Sequence, residues 1–273
     1  MPELPPVTSA TAFFRFIPKS VYREQPLGNT LLSRDSDGAV ILISLARKSK
    51  LGFRWKRWVL AILLFFVGLH LLWGIALLGL RFINPFTTGV QIQRRVESFF
   101  TRDPYKKRQT FVPLRRISPQ LQHAVIAAED GNFYRNYGID WGQVRQVIED
   151  SADAGEVTRG ASTITQQLVK NLFFTTHANP FRKAFEFTLA PMATLILGRN
   201  RVLELYLNVI EWGPGVFGSE AAAEYHYHTS AAALNRDQSA RLTAILPSPR
   251  RRKPERMSQY RAIIQERMRV LGW

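Results

Sequence analysis

The sequence predicts a mainly α-helical domain carried behind a single N-terminal transmembrane helix. Three observations predict it. Residues 58–80, WVLAILLFFVGLHLLWGIALLGL, are apolar and uncharged over about the length a helix needs to cross ~30 Å of hydrocarbon. From Ser118 onward apolar residues recur at helical spacing, whereas strand-like alternation is scarce. The 273 residues contain no cysteine, which excludes structural disulfides, Cys-ligated zinc and thiol catalysis, and a core of this size needs no such staples.

In chain order, residues 1–57 mix Pro, Ser, Gly and scattered charge with one short apolar stretch, AVILISLA, and no sustained period, so a largely disordered cytoplasmic tail is expected. Asp35-Ser36-Asp37 matches the metal-binding pair of sugar-nucleotide transferases, but no phosphate-binding βα unit surrounds it, and it is read as chance. The apolar run is too long, and too far from the N-terminus, for a cleaved signal, and no small-residue cleavage site follows. Arg47, Lys48, Lys50, Arg54, Lys56 and Arg57 precede it, against mainly Arg81 after it, which places the N-terminus in the cytoplasm and everything beyond Arg81 outside. His70, alone in the span without an acidic partner, is read as incidental.

Residues 81–117 form a basic, membrane-proximal connector rich in aromatics, expected against the outer leaflet, with a solvated linker as the equal alternative for its first half. Residues 118–273 form the main domain. Ser118 and Pro119 supply an N-cap and a first-turn proline, with Leu121, Ala124, Val125 and Ala128 as the apolar stripe. Further helices are expected near 140–152, 162–174, 180–197, 200–211, 218–226, 235–246 and 258–271. The formal net charge of +16 would suit nucleic acid in a soluble protein. Beside a bilayer it suits anionic headgroups, so membrane lipids, and no nucleic acid, are the expected partners.

Three constellations can carry chemistry. In EDGNFYRNYGID (129–140), Glu129 falls at the negative end of a helix macrodipole, which with partial burial is expected to raise its pKa above the ordinary value, and a raised but still ionised carboxylate is a competent general base. Phe133 and Tyr134 can wall a site, Gly138 allows a sharp turn, and Asp140 can cap the helix beginning at Trp141; the alternative is plain turn chemistry. In GASTITQQLVKN (160–171), Ser162 is the expected N-cap. Thr163, Gln167 and Lys170 fall at i, i+4 and i+7, opposite Ile164, Leu168 and Leu172. Hydroxyl, amide and cation below a free helix N-terminus suit phosphate and sugar oxygens; an ordinary amphipathic helix is the alternative. In RKAFE (182–186), Arg182, Lys183 and Glu186 share a helical face, in the orientation less favourable for a simple helix ion pair.

These motifs, followed by LELYLN (203–208) and GPGVFGSEAAAEYHY (213–227), closely resemble the family-51 glycosyltransferases that polymerise peptidoglycan, in the family's order and spacing from about residue 84 to 271. The single anchor and the short basic C-terminus resemble the monofunctional members. No Ser-x-x-Lys occurs, and about 65 residues follow Asn208, so the transpeptidase domain of bifunctional relatives is not expected. The resemblance implies a lysozyme-like α-helical glycosyltransferase domain in which Glu129 is the catalytic base. Asp130, Phe133, Asn136, Ser162, Thr163, Gln167 and Lys170 then surround the substrate, while Arg182, Lys183 and a catalytic Glu186 complete the pyrophosphate end.

It further implies lipid II and the growing glycan strand as substrates, released undecaprenyl pyrophosphate, inversion at C1, an inner-membrane location with the catalytic domain in the periplasm, and cell-wall synthesis or division proteins as partners. A divalent cation, magnesium or manganese, beside Glu186 belongs to the same expectation, and no nucleotide cofactor does. The chain departs from the family pattern at Asn136, where His is usual, at Ala161, where Gly is usual, and at Gly198-Arg199, in place of Ser-Lys. Pro191 should kink the third motif's helix. A lytic glycan-cleaving enzyme and a non-catalytic wall-assembly partner are the alternatives, the first disfavoured by the cations of the last two motifs.

Overall fold

The computed structural model describes residues 30–34, 40–44, 51–101, 105–154 and 162–273. The chain divides into two units, Met1–Leu64 and Phe65–Trp273. In the first, β1 (Thr30–Arg34) and β2 (Val40–Ser44) pair antiparallel, Leu32 opposite Leu42. Part of the tail expected to be disordered therefore forms a ladder. Its two halves are rich in Leu, Ile and Val, which favour a pleated backbone, and five residues including Asp37-Gly38 join them. Asp35-Ser36-Asp37 lies outside the described residues.

Helix α1 (Leu51–Phe82) contains the apolar span, long and apolar enough over Trp55–Phe82 to cross a membrane. Within the second unit its C-terminal part has two faces. Phe65, Leu71, Leu72 and Ile75 are exposed, as suits lipid, whereas Leu77 is fully buried and Trp73 packs on the core. The partner of that inner face is α6 (Pro180–Leu197): Phe66 stacks on Phe185 with centroids 5.9 Å apart, and the Trp73 ring lies 5.2 Å from Phe185 and 5.6 Å from Phe174. His70 is engaged. Its Nε2 lies 2.9 Å from Thr188 Oγ1 and its Nδ1 2.8 Å from the Phe66 carbonyl, so the imidazole ties the anchor to the domain. Within an apolar contact a satisfied polar pair of this kind fixes register.

The connector folds as α2 (Gly89–Thr101), which buries Val90, Gln91 and Gln93 and leaves Ile92, Val96, Phe99 and Phe100 exposed. Three short strands come together from different places in the chain. Residues β3 (Arg108–Gln109), β4 (Glu211–Gly213) and β5 (Val216–Phe217) form one small sheet in the order β3-β5-β4.

The main domain comprises α3 (Pro119–Glu129), α4 (Trp141–Ala154), α5 (Ile164–Phe173), α6, α7 (Arg199–Val209), α8 (Ser219–Tyr227), α9 (Arg236–Ile245) and α10 (Ser258–Val270). Helices α5 and α7 are central: Ile164, Leu168, Val202, Leu203 and Leu205 are fully buried there, with Trp212 beside them. Helix α6 runs through Pro191 without ending. Asn208 explains part of LELYLN. Fully buried, it accepts from the Val112 amide at 2.9 Å and donates to the Val112 carbonyl at 2.9 Å, clasping the connector to α7. Gly218, at φ +83°, lies so close that a Cβ there would stand 2.7 Å from the Asn208 carbonyl oxygen.

Candidate active site

Three chain segments meet at the C-terminal end of α3. Ser118 caps its start, accepting from the Gln120 amide at 3.3 Å, and α9 and α10 pack on its sides, so Glu129 is delivered at the end of a rigid element. Gln167 of α5 donates from Nε2 to Glu129 Oε2 at 2.6 Å. Burial pushes the Glu129 carboxyl above its ordinary value, while the Gln167 hydrogen bond and the charges of Lys170 and Arg267 act to lower it. Glu129 is thus a carboxylate with raised basicity that still retains partners for its ionised form.

The next carboxylate has a different situation. Asp130 is 1% exposed, and its oxygens accept from Asn136 Nδ2 at 2.8 Å and from the Ile164 amide at 3.1 Å. Its pKa is pushed up to about 6, chiefly by burial, against those two hydrogen bonds. Asp130 therefore joins the EDGNFYRNYGID loop to the first turn of α5. This corrects the expected free helix N-terminus: the anion there is the protein's own. It also moves the cap. Thr163, not Ser162, is the N-cap, accepting from the Gln166 amide at 3.1 Å in a reciprocal capping box and donating to the Gly138 carbonyl at 2.7 Å. The shift frees the Ser162 hydroxyl, which accepts from Lys183 Nζ at 2.8 Å.

The loop between α3 and α4 turns as expected. Gly138 has φ +89°, and a Cβ there would lie 2.5 Å from the Ala190 carbonyl oxygen, so only glycine lets the loop pass this close to α6. Asp140 caps α4, accepting from the Gln143 amide at 3.1 Å, and also accepts from Asn132 Nδ2 at 2.8 Å. Phe133 is buried in the core, and Tyr134 is half exposed with its ring 5.2 Å away. Asn136 donates to Asp130 and accepts from the Gly138 amide at 3.0 Å, while its carbonyl receives Arg199 Nη2 at 3.0 Å. Arg199 also lies over the Tyr137 ring, 5.1 Å from its centroid. Two of the three departures from the family pattern thus touch each other; Ala161 lies outside the described residues.

The cations gather on α5 and α6. Glu186 is 3% exposed, with Arg182 Nη1 at 2.5 Å and Lys183 Nζ at 3.4 Å on its two oxygens, so the helix ion pair read from spacing does form, in a buried setting. Lys170 lies within electrostatic reach of Glu129, Glu186, Arg182 and Lys183. Burial lowers its pKa, with Glu186 opposing and Arg182 contributing. Among the described residues no acid forms a direct ion pair with it, although it is a largely buried cation. An ammonium largely withdrawn from water and without a directly paired anion has the charge to attract an anionic group. The same donor set does not fit a resident divalent ion. Both Glu186 oxygens hold cations, and among the described residues no three acids or histidines converge to ligate a metal.

Ser162, Gln167, Lys170, Arg182, Lys183, Glu129 and Glu186 are therefore linked through direct contacts or mutual electrostatics, with Asp130, Thr163 and Asn136 beneath them as scaffold. Two residues went unread in the sequence. Tyr206, 1% exposed, donates to Gln167 Oε1 at 2.9 Å, and Arg267 donates to the Ala128 carbonyl at 3.3 Å beside Glu129. Both come from distant segments; Tyr206 lies within LELYLN, which carries part of the family resemblance without marking a site role, whereas nothing in the local pattern around Arg267 indicates the site.

The family model for transglycosylases matches residues 94–272, which spans all of these groups. The chain belongs to the transglycosylase family. It is 40% identical over 220 residues to the biosynthetic peptidoglycan transglycosylase of Dechloromonas aromatica, covering 78% of this chain and 95% of that protein. The protein of the same name from Methylobacillus flagellatus is 38% identical over 226 residues, 79% of this chain and 95% of the relative. That from Rhodopseudomonas palustris is 48% identical over 147 residues, 54% and 65% respectively. The transglycosylase match and a helix able to span a membrane together fit a single-pass anchored enzyme.

Proposed function

We propose that this transglycosylase polymerises lipid II into peptidoglycan strands at the outer face of the inner membrane. The observation that carries the reading is the pairing of a buried carboxylate of raised basicity, Glu129, with a largely desolvated cation, Lys170, that among the described residues has no directly ion-paired acid, backed by Arg182 and Lys183. Glu129 removes the proton from the 4-hydroxyl of the acceptor GlcNAc as that oxygen bonds to C1 of the donor MurNAc. The C1–O bond to the pyrophosphate breaks from the opposite face, its electron pair leaving with undecaprenyl pyrophosphate, so the centre inverts. Lys170, Arg182 and Lys183 stabilise the charge that develops on the leaving group, the kind of preorganised electrostatics that usually dominates such sites.

Labelled lipid II run on a gel after incubation with the detergent-purified chain tests this reading. A ladder of polymer is the expected result; shortened pre-formed strands would instead indicate a lytic enzyme, and an unchanged substrate a non-catalytic assembly factor. The orientation is tested separately. Because the cationic flank precedes residue 58, a reporter fused after Trp273 should be active only in the periplasm, and cytoplasmic activity would overturn the topology. The exposed Phe82, Ile83, Phe86, Phe99, Phe100 and Phe181 support a membrane-proximal placement of the domain, where membrane-borne substrate is within reach.

Asn136 is the departure most open to measurement. Its side chain supplies one donor to Asp130 and one acceptor to Gly138, neither of which requires ionisation. Asn136→His should therefore change polymerisation by less than about tenfold, ~1.4 kcal/mol in the barrier. A gain of several hundredfold at saturating lipid II would show that a titrating group is required at this position.

A further inference from the structure

Glu129 makes its closest polar contact with a side chain that has two possible faces. The Gln167 amide carries a donor and an acceptor at nearly the same radius, and a flip by half a turn about its last bond exchanges them. Toward an ionised carboxylate only the N–H face attracts; the carbonyl face would repel it. Something must therefore hold the amide in one sense.

On the other side of Gln167 stands Tyr206 of α7. Its hydroxyl lies 2.9 Å from Gln167 Oε1, and Gln167 Nε2 lies 2.6 Å from Glu129 Oε2, giving a continuous line from α7 through α5 to α3. The ring is buried, in the core between these helices, and cannot swing away without opening the packing. We propose that Tyr206 is a positioning residue: its hydroxyl donates to the Gln167 carbonyl and so turns the amide N–H toward Glu129, holding the carboxylate ionised and aimed. The inference rests on the assignment of Glu129 as base.

A phenol can perform this task only while it keeps its proton. Burial, together with the negative charges of Glu129 and Asp130, raises the Tyr206 pKa well above its ordinary value, so the hydroxyl remains a donor throughout the working range. Among the described residues the other charged groups facing Glu129 are Lys170 on α5, Arg267 on α10 and the adjacent Asp130, and substitutions at 206 or 167 leave all three in place.

The test is the pH dependence of kcat/KM for lipid II polymerisation, whose acidic limb reports the free enzyme's base. Tyr206→Phe keeps the ring and removes only the hydroxyl. The acidic limb should move up by roughly one pH unit, with activity largely recovered above it, because an unlocked amide no longer favours the ionised carboxylate. Gln167→Met should move the limb in the same direction by at least as much, and Tyr206→Phe added to Gln167→Met should move it no further. A purely structural loss would lower the whole profile without moving the limb, and that result for Tyr206→Phe overturns the proposal. So does additive movement in the double variant. Should Tyr206→Phe fail to accumulate, 3-fluorotyrosine at 206, a stronger donor of nearly the same shape, should move the limb down; an unmoved limb again overturns it. If the unsubstituted chain forms no polymer, the assignment of Glu129 fails first and is recognised as such.

Discussion

Glu129→Gln should lower lipid II polymerisation by 10²-fold or more, the usual scale for loss of a general base, while leaving binding of the substrate intact. The side chain keeps its size, and Gln167 can still face an amide oxygen in place of the carboxylate it now serves at 2.6 Å. What disappears is the proton acceptor. The sign of the pH dependence follows from the same group. A base must be unprotonated, and burial raises the Glu129 pKa, so activity in the unsubstituted chain should fall as pH drops through a value above that of an ordinary glutamate. The variant should lose that limb together with the rate. Near-normal turnover of Glu129→Gln in detergent would remove the carboxylate from the chemistry.

Lys170→Met should cost polymerisation ~10²- to 10³-fold, comparable with deleting one preorganised charge-stabilising donor elsewhere. Methionine matches the length and apolar character of the lysine stem, and Lys170 has no acid in direct pairing among the described residues, so the change breaks no direct ion pair and leaves Glu129 its Gln167 hydrogen bond and Glu186 its two cations. The fold should stand. Arg182 and Lys183 act on the same charge, but each is already paired with an oxygen of Glu186 and so only partly offsets the loss. The loss should appear in kcat more than in KM if the cation acts on charge that develops as the pyrophosphate leaves. A variant that binds lipid II poorly but turns it over normally once saturated would assign Lys170 to ground-state binding instead.

Much of this was legible in the sequence, for local reasons. Ser118-Pro119, Asp140 before Trp141 and the apolar stripe of α3 are signals contained within one turn of helix, and each element forms where those signals place it. The relation between Glu129, Lys170 and Glu186 became visible only through family resemblance, since 57 positions separate the first from the last. Errors arose where two segments compete for the same atoms. A free N-terminus on α5 is a fair expectation from GASTITQQLVKN taken alone, yet Asp130, from another motif, already occupies it. His70 looked idle because its partner, Thr188, lies 118 residues away. The strands β3, β4 and β5 are two or three residues long, too short to carry a period of two.

The inner face of α1 bears on how such enzymes can be rebuilt. Leu77 is fully buried and Trp73 packs edge-on against Phe174 and Phe185, which stack on each other, so this stretch of the anchor is shaped to the domain as well as to the bilayer. Hydropathy alone does not define its job. A foreign helix of equal length and greasiness would tether the enzyme to the same membrane, yet it would present the wrong knobs to α6 and no imidazole to Thr188. The anchor is not an interchangeable part, and chimeras joined at the membrane surface cut through a packed interface rather than beside one.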